Sequence, residues 1–199
     1  MKVLLVGAQG VIGSAVAKEL GARHTVVSAG RKSGDVKVDL TDSASIRRMF
    51  EQVGRVDAVV SAAGNLHFAP LDQMTEEQFG IGLKDKLMGQ VNLAMIGRAF
   101  LNDGGSITVT GGILAEQPIR YGSSASMVNA ALEGFVRAAA IELPRGLRIN
   151  LVSPTVVQES MPQFGPFFRG FEPVPAARVA LAYSRSVEGH QTGQVYRVF

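Results

Sequence analysis

Seven short apolar runs rich in β-branched residues recur along the chain. They lie at 2–6 (KVLLV), 25–29 (TVVSA), 36–38 (VKV), 57–61 (DAVVS), 106–110 (SITVT), 148–153 (RINLVS) and 194–198 (QVYRV). Their nearly continuous apolar character is typical of parallel strands that are covered on both faces. Helical patterns separate them at about 11–21, 43–53, 75–101, 123–143 and 176–187. This alternation predicts an α/β fold with a doubly wound parallel sheet.

Length and composition indicate one domain over residues 1–199. The chain is 46% hydrophobic and 19% charged, which is enough apolar material for a sizeable core. One segment, 161–175, is rich in Pro, Gly and Phe and has no period. We expect a loop at about 158–175 that either forms a lid over a substrate or is a surface loop whose phenylalanines pack down. Those side chains are Phe164, Phe167, Phe168 and Phe171.

Charge and cysteine content narrow the possible partners. The net charge is +3 without a Lys/Arg run, which gives no support for a nucleic-acid partner. No stretch is long and apolar enough to span a membrane, and the apolar start fits a buried strand better than a signal peptide. Cysteine is absent and no cluster has metal-ligand spacing, so we predict no metal site. The composition is compatible with the cytoplasm, where we expect the protein.

Three glycines, Gly7, Gly10 and Gly13, lie between the first predicted strand and the first predicted helix. Glycines allow the backbone to approach a pyrophosphate, and the helix N-terminus offers free N–H groups to the phosphates. Gln9, Val11 and Ile12 belong to the same turn. The position of the turn in an alternating chain predicts a dinucleotide site, with a ligand-free tight turn as the alternative.

The second predicted strand is followed by Arg31, Lys32 and Ser33. Cofactors without a 2′-phosphate usually meet an acidic residue at this place. Two cations and a hydroxyl suit a 2′-phosphate instead, so we predict NADP(H) rather than NAD(H), with a solvated basic turn as the alternative. Asp39, followed by Leu40, either contacts the adenine amino group or caps the next helix.

Four motifs resemble the short-chain dehydrogenase/reductase family over nearly the whole chain. They are VGAQGVIG (6–13), SAAG (61–64), LEGFVRAAAIELPRGLRINLVSP (132–154) and TGQVYRV (192–198). The resemblance implies a three-layer Rossmann fold whose seven-stranded parallel sheet has the order 3-2-1-4-5-6-7. It also implies a homodimer or homotetramer, assembled through the helices at 75–101 and 123–143. Further cofactor contacts are then expected at Ser61, Ala62, Ala63, Gly64, Pro154 and Val157.

Membership of this family implies hydride transfer between a nicotinamide and a small carbonyl or alcohol compound. A tyrosine, a lysine, a serine and an asparagine would handle the proton and the substrate oxygen. Each is substituted here: Ala125 stands at the tyrosine position, Asn129 at the lysine position and Lys86 at the asparagine position. The serine position falls at Gly111 or Gly112, and no lysine follows Lys86.

Three interpretations remain open. In the first, which we prefer, Lys86, Tyr121, Thr110 and Asn129 form a rebuilt catalytic site in an NADP(H)-dependent oxidoreductase acting on a small, possibly apolar, carbonyl or alcohol compound. In the second, the protein is a non-catalytic NADP(H)-binding sensor or regulatory protein. In the third, water or the substrate supplies the proton. Each side chain also has a simpler role: a solvated lysine, a packing tyrosine and a structural asparagine.

Overall fold

The computed structural model describes Met1–Phe199 and contains one seven-stranded sheet in which every strand pair is parallel. The predicted order, β3-β2-β1-β4-β5-β6-β7, is confirmed. The strands are β1 (Lys2–Val6), β2 (Thr25–Gly30), β3 (Val36–Lys37), β4 (Val56–Ser61), β5 (Leu101–Thr110), β6 (Arg148–Pro154) and β7 (Val195–Val198).

Helices cover both faces of the sheet. They are α1 (Val11–Gly21), α2 (Ser43–Val53), α3 (Glu76–Gly82), α4 (Met88–Gly97), α5 (Ser123–Ala139), α6 (Met161–Phe164) and α7 (Ala176–Glu188). Val3 and Leu5 of β1 join the core under α1 and α7, whereas Leu4 and Val6 join the core under α2, α4 and α5. Both faces of β1 are therefore buried, which explains its uninterrupted apolar run. No helix combines the length and hydropathy needed to cross a membrane.

The helix predicted over 75–101 is divided in three. Thr75 and Gln78 form a capping box at the start of α3, a π-helical turn follows at Leu83–Leu87, and α4 continues to Gly97. The amide Nε2 of Gln90 donates to the Lys86 carbonyl oxygen at 3.1 Å, within this π turn. Periodicity alone does not reveal such an insertion, and π turns are frequent at functional sites.

The glycines after β1 are required by close backbone contacts. Gly7 has φ +87°, a conformation that residues with a Cβ rarely adopt. A Cβ placed on Gly13 would lie 1.9 Å from the Gly7 carbonyl oxygen. The first turn of α1 therefore packs directly on the loop that leaves β1, and no other residue fits at position 13.

We expect Gly13→Ala to lower the free energy of unfolding by about 2–4 kcal/mol, because the added methyl group overlaps the Gly7 carbonyl. Urea unfolding measures this change. Gly21→Ala at the end of the same helix is the matched control: nothing lies within 4 Å of its added Cβ. Alanine should raise the stability there by up to about 1 kcal/mol. Equal effects of the two changes would refute the packing argument.

Candidate functional site

Two cavities open beside the carboxyl ends of the strands, where ligands bind in open α/β sheets. The β2-side cavity is lined by residues that include Gly7, Arg31, Asp39, Leu40, Ala63, Gly64, Asn65 and Asp85. The central cavity is lined by residues that include Ile12, Leu66, Phe68, Lys86, Gly112, Ala125, Asn129, Pro154, Thr155, Val157, Ser160, Phe164 and Phe168. Each has a volume of about 190 Å³.

The loop between β1 and α1 (residues 7–10, the glycine loop) lies between these two cavities. Gly7 lines the β2-side cavity and Ile12 lines the central cavity. Gly10 precedes α1 without a side-chain hydrogen bond to the helix, so no capping side chain competes for the first N–H groups. Gln9, Gly10 and Val11 are exposed, whereas Gly13 is buried beneath the loop. A ligand with a central diphosphate could therefore reach both cavities at once.

Asp39 faces the β2-side cavity. Its Oδ1 accepts hydrogen bonds from the Thr41 backbone N at 2.9 Å and from the Thr41 hydroxyl at 2.7 Å. These bonds hold the pKa of Asp39 below its usual value, and the charges of Arg31 and Lys84 contribute less. The helix-capping alternative for Asp39 is wrong, because Asp42 caps α2 by accepting from Ala44 N at 2.8 Å.

The turn after β2 presents one charged residue to this cavity, Arg31. Lys32 and Ser33 are exposed and do not line it. The acidic residue of the turn, Asp35, is bound elsewhere: its Oδ2 accepts from the backbone N and the hydroxyl of Ser28 at 2.8 and 2.7 Å. The only charged group that this turn offers to a ligand in the β2-side cavity is therefore the Arg31 guanidinium.

Lys86 extends from the π turn into the central cavity. Its Nζ donates to the Gly111 carbonyl oxygen at 3.2 Å, and burial lowers its pKa from 10.5 to about 8. Gly64, with φ +142°, makes room for this side chain, because a Cβ there would lie 2.7 Å from Lys86 Cγ. The solvated alternative for Lys86 does not match this partly buried position.

Asn129 lines the same cavity from α5 and is 2% exposed. Its Oδ1 is buried without a hydrogen-bond partner. A Cβ at Gly112 would lie 3.0 Å from Asn129 Nδ2, so glycine leaves space for the amide. Ala125 lines the cavity one helical turn earlier. Lys86 and Asn129 therefore line one cavity, and the buried amide oxygen of Asn129 has no hydrogen-bond donor within the protein.

Thr110 and Tyr121 lie elsewhere. The Thr110 hydroxyl donates to the Ser61 carbonyl and also contacts the Tyr183 hydroxyl, in the interior of the sheet and helix layers. Tyr121 has φ 67° and lines a separate surface cleft, with its ring 6.0 Å from the Phe167 ring. Neither side chain lines the central cavity, so the four-residue site expected from the sequence is not assembled.

The phenylalanine-containing segment at 158–175 folds into short helices. A parallel β-bridge between Val157 and Val174 joins the two ends of this segment. Phe164 and Phe168 line the central cavity. The ring of Phe171 packs against that of Phe168, with 5.3 Å between the ring centroids, and the side chain of Phe167 is 43% exposed. Two of the four rings therefore line the cavity, and Phe171 packs against one of them.

Sequence reasoning missed Gln90, which is completely buried. Its Nε2 donates to the Thr110 carbonyl at 2.9 Å, and its Oε1 accepts from the Thr110 backbone N at 2.8 Å. Together with the bond to the Lys86 carbonyl, this amide joins the π turn to the end of β5. A lone polar residue on a helix carries no sequence signal for such a role. Leu66, Phe68 and Thr155 were missed because they lie in loops, and Ser160 lies at the start of the segment expected at about 158–175.

The fold is a doubly wound α/β sheet with a glycine-containing loop between β1 and α1, and comparison with known proteins identifies its family. The family model described as "Enoyl-(Acyl carrier protein) reductase" matches residues 6–196. The chain belongs to the short-chain dehydrogenase/reductase family, whose curated relatives are named oxidoreductases and reductases.

Several solved structures match the complete chain. The protein lin1944 from Listeria innocua is 53% identical, with 100% of both chains covered and a TM-score of 0.99. A small-chain dehydrogenase in complex with NADPH is 25% identical over 100% of this chain and 96% of that one, with a TM-score of 0.88. The second protein is therefore a cofactor-bound relative with the same fold.

Curated relatives match less of their own length. Hydroxynaphthalene reductase arp2 from Aspergillus fumigatus is 29% identical over 69% of this chain and 52% of its own. The chain spans about half the length of the first curated relatives that it matches. The uncharacterized oxidoreductase Mb1385 from Mycobacterium bovis is 29% identical over 96% of this chain and 85% of its own.

The lowered pKa of Lys86 predicts a stability change in Lys86→Met. Between pH 8 and 10.5 the unfolded chain binds more protons at Lys86 than the folded chain, so the burial cost of its charge applies below pH 8 and disappears as the pH rises. Methionine should raise the free energy of unfolding by about 1–2 kcal/mol at pH 7 and by less at pH 10. Urea unfolding at both pH values, with exposed Lys18→Met as control, measures this difference. A pH-independent change would contradict the prediction.

Proposed function

We propose that the protein is an NADP(H)-dependent oxidoreductase that acts on small, apolar carbonyl or alcohol compounds. One observation carries the proposal: an apolar cavity, lined by Lys86 and Asn129, adjoins a glycine loop whose other side opens to a cavity with a cation. When bound, a nicotinamide dinucleotide supplies hydride-transfer chemistry. The rest of the proposal concerns what the residues of this chain do around it.

The proposed cofactor contacts run along the whole cleft. The first-turn N–H groups of Val11, Ile12 and Gly13, beside the loop residues Gly7, Gln9 and Gly10, would hold the diphosphate. The N–H groups of Gly7 and Gly10 already donate to the carbonyl oxygens of Ala29 and Gly7. Asp39, Leu40, Ala63 and Gly64 would surround the adenosine end, above Ser61 and Ala62. Pro154 and Val157 would border the nicotinamide end. The exposed Gly10 and the uncapped first turn of α1 leave backbone open beside both cavities, which fits such a ligand.

Support for NADP(H) comes from the turn after β2. Arg31 lines the β2-side cavity, while the carboxylate of Asp35 is occupied by Ser28. A guanidinium recognises a phosphate through charge-assisted hydrogen bonds. Lys32 and Ser33 are exposed beside it and are proposed to assist. The solved relative with NADPH is consistent with this preference.

The proposed substrate class follows from the lining of the central cavity. Leu66, Phe68, Ile113, Leu114, Phe164 and Phe168 contribute apolar side chains to it. Such a lining favours an uncharged, apolar compound with one carbonyl or hydroxyl group near Lys86 and Asn129. We propose that the segment at about 158–175, anchored by the Val157–Val174 bridge, covers this compound as a lid.

A second candidate function is a non-catalytic NADP(H) sensor. The observation that favours it is the absence of a phenol from the lining of the central cavity, where Ala125 takes the place of the family tyrosine. The cofactor contacts proposed above are common to both functions. Turnover of a carbonyl compound therefore separates them.

We also propose a homodimer or homotetramer. Apolar side chains on α3, the π turn, α4 and α5 are exposed: Ile81, Leu83, Met88, Met95 and Met127. Ala130, Ala131 and Gly134 on α5 are exposed small residues that permit close helix packing. This surface is suited to helix pairing between two copies.

Titration with NADPH and NADH, followed by fluorescence, tests the cofactor assignment. We expect NADPH to bind more tightly, and Arg31→Ala to weaken NADPH binding by about 10–100-fold while NADH affinity changes little, because one charge-assisted contact is lost. Arg47→Ala is the control, since Arg47 is exposed on α2 and lines neither cavity. Equal affinity for the two dinucleotides would remove the argument for NADP(H).

NADPH oxidation across a panel of carbonyl compounds tests catalysis. We expect aromatic and aliphatic ketones or aldehydes to be reduced, and compounds that carry a carboxylate to be poor substrates, because burying a charge in an apolar cavity is costly. Phe164→Ala should raise KM for the apolar substrates by about 10-fold or more, through lost apolar contact. Saturable NADPH binding without turnover over the whole panel would favour the sensor.

A further inference from the structure

We propose that the Lys86 ammonium group is the proton donor to the substrate oxygen and that the Asn129 amide holds this oxygen beside it. The proposal rests on the proposed oxidoreductase function and extends it, because it assigns to a lysine the role that the family gives to a tyrosine. It requires neither Tyr121 nor Thr110, which lie outside the central cavity.

The chemistry of the cavity lining leaves one side chain for this role. Its polar side chains are Lys86, Asn129, Thr155 and Ser160. Amides and aliphatic hydroxyls are too weakly acidic to release a proton near neutral pH, whereas an ammonium group can do so. No Asp, Glu, His or Tyr lines the cavity, so no other ionisable group on its walls competes with Lys86.

The elements packed around Lys86 present no second charge to it. Ile12 comes from α1, Gly64 from the loop after β4, Gly111 from the end of β5 and Asn129 from α5. The neighbouring carboxylate, Asp85, lines the β2-side cavity and accepts a hydrogen bond from Asn65 Nδ2 at 2.5 Å. Burial is accordingly the cause of the lowered pKa, and no ion pair holds the proton on Nζ.

Local backbone geometry and one buried side chain fix the position of Lys86. The π turn carries it, Gln90 joins the turn to β5, and Gly64 makes room for the side chain. Of the three N–H donors on Nζ, the Gly111 carbonyl uses one, which leaves two for a ligand. Asn129 lines the same cavity, and its Nδ2, which donates to no protein group, can donate to the oxygen that receives the proton.

The proton balance is complete without another side chain. When bound, NADPH would supply the hydride to the carbonyl carbon and would itself be oxidised to NADP⁺. The electron pair of the C=O π bond moves to the oxygen. One N–H bond of Lys86 breaks and one O–H bond forms, which leaves an alcohol and a neutral amine. Solvent then returns a proton to Nζ. A pKa of about 8 keeps the ammonium group mainly protonated at pH 7, yet makes it a far better acid than an ordinary lysine.

The first test needs no cofactor. NMR titration of the lysine side chains in the cofactor-free protein, with the Lys86 resonance assigned by its loss in Lys86→Met, measures the pKa of Nζ directly. We expect Lys86 to titrate near pH 8, well below the other lysines. Titration of Lys86 together with the exposed lysines near pH 10.4 would overturn the proposal, because the group would then be solvated.

The second test compares turnover with cofactor binding. Lys86→Met should lower kcat for carbonyl reduction by at least about 100-fold, the usual contribution of a general acid, while NADPH affinity changes less than about threefold. Lys86→Arg keeps the positive charge but cannot release its proton near neutral pH, so it should be equally impaired. Lys18→Met, an exposed control on α1, should retain full activity.

The pH profile distinguishes proton transfer from charge alone. In the wild type, kcat for reduction should fall about tenfold per pH unit above pH 8, as Lys86 loses its proton, and this inflection should be absent from the residual activity of Lys86→Met. Retained turnover in Lys86→Met would overturn this proposal alone and assign the proton to water or substrate. A wild type that binds NADPH but turns over no carbonyl compound would overturn the proposed function as well.

Discussion

The contact between the first turn of α1 and the loop that leaves β1 is the constraint on which the rest of this molecule depends. Gly13 lies so close to the Gly7 carbonyl that no side chain can be inserted between them. This contact brings the amides at the start of α1 next to the carboxyl ends of β1 and β4. Both cavities open at this point, one on each side of the loop.

Two polar side chains from different elements line the central cavity beside this contact. Lys86 lies on the π turn and Asn129 on α5, at positions where the family resemblance implies an asparagine and a lysine. Glycines at 64 and 112 leave the space that the two side chains occupy. An isolated buried cation is costly to a protein, and such groups concentrate at functional sites because the same burial that costs stability also adjusts the pKa.

The proposed use of a lysine in place of the family tyrosine as proton donor would change the chemistry of the cavity in a defined way. A phenol is neutral before proton transfer, whereas an ammonium group is charged before it and neutral afterwards. The apolar walls formed by residues such as Phe68, Phe164 and Phe168 therefore favour loss of the proton from Lys86. The apolar side chains that line the cavity thus also exclude water from Lys86, and this desolvation lowers its pKa.

The sequence by itself determined the strands, the helices and the family, because apolar periodicity and glycine spacing are local properties of the chain. Six of its seven predicted runs overlap their strands closely, and only β5 begins well before its predicted start, at Leu101. The placement of Gly7 and Gly13 was likewise readable, since the strand–turn–helix context is contiguous. The pairing of Lys86 with Asn129 was foreseen only as an exchange of two motif positions.

Only the tertiary structure decided which polar side chains share the central cavity. Thr110 and Tyr121 were reasonable candidates by position. The hydroxyl of Thr110 is nevertheless turned toward Ser61 and Tyr183, and Tyr121 lies in another cleft beside Phe167. The π turn and the buried Gln90 that orient Lys86 left no trace in the hydrophobic pattern. Side-chain direction depends on contacts between residues far apart in the chain, and a local pattern does not encode such contacts.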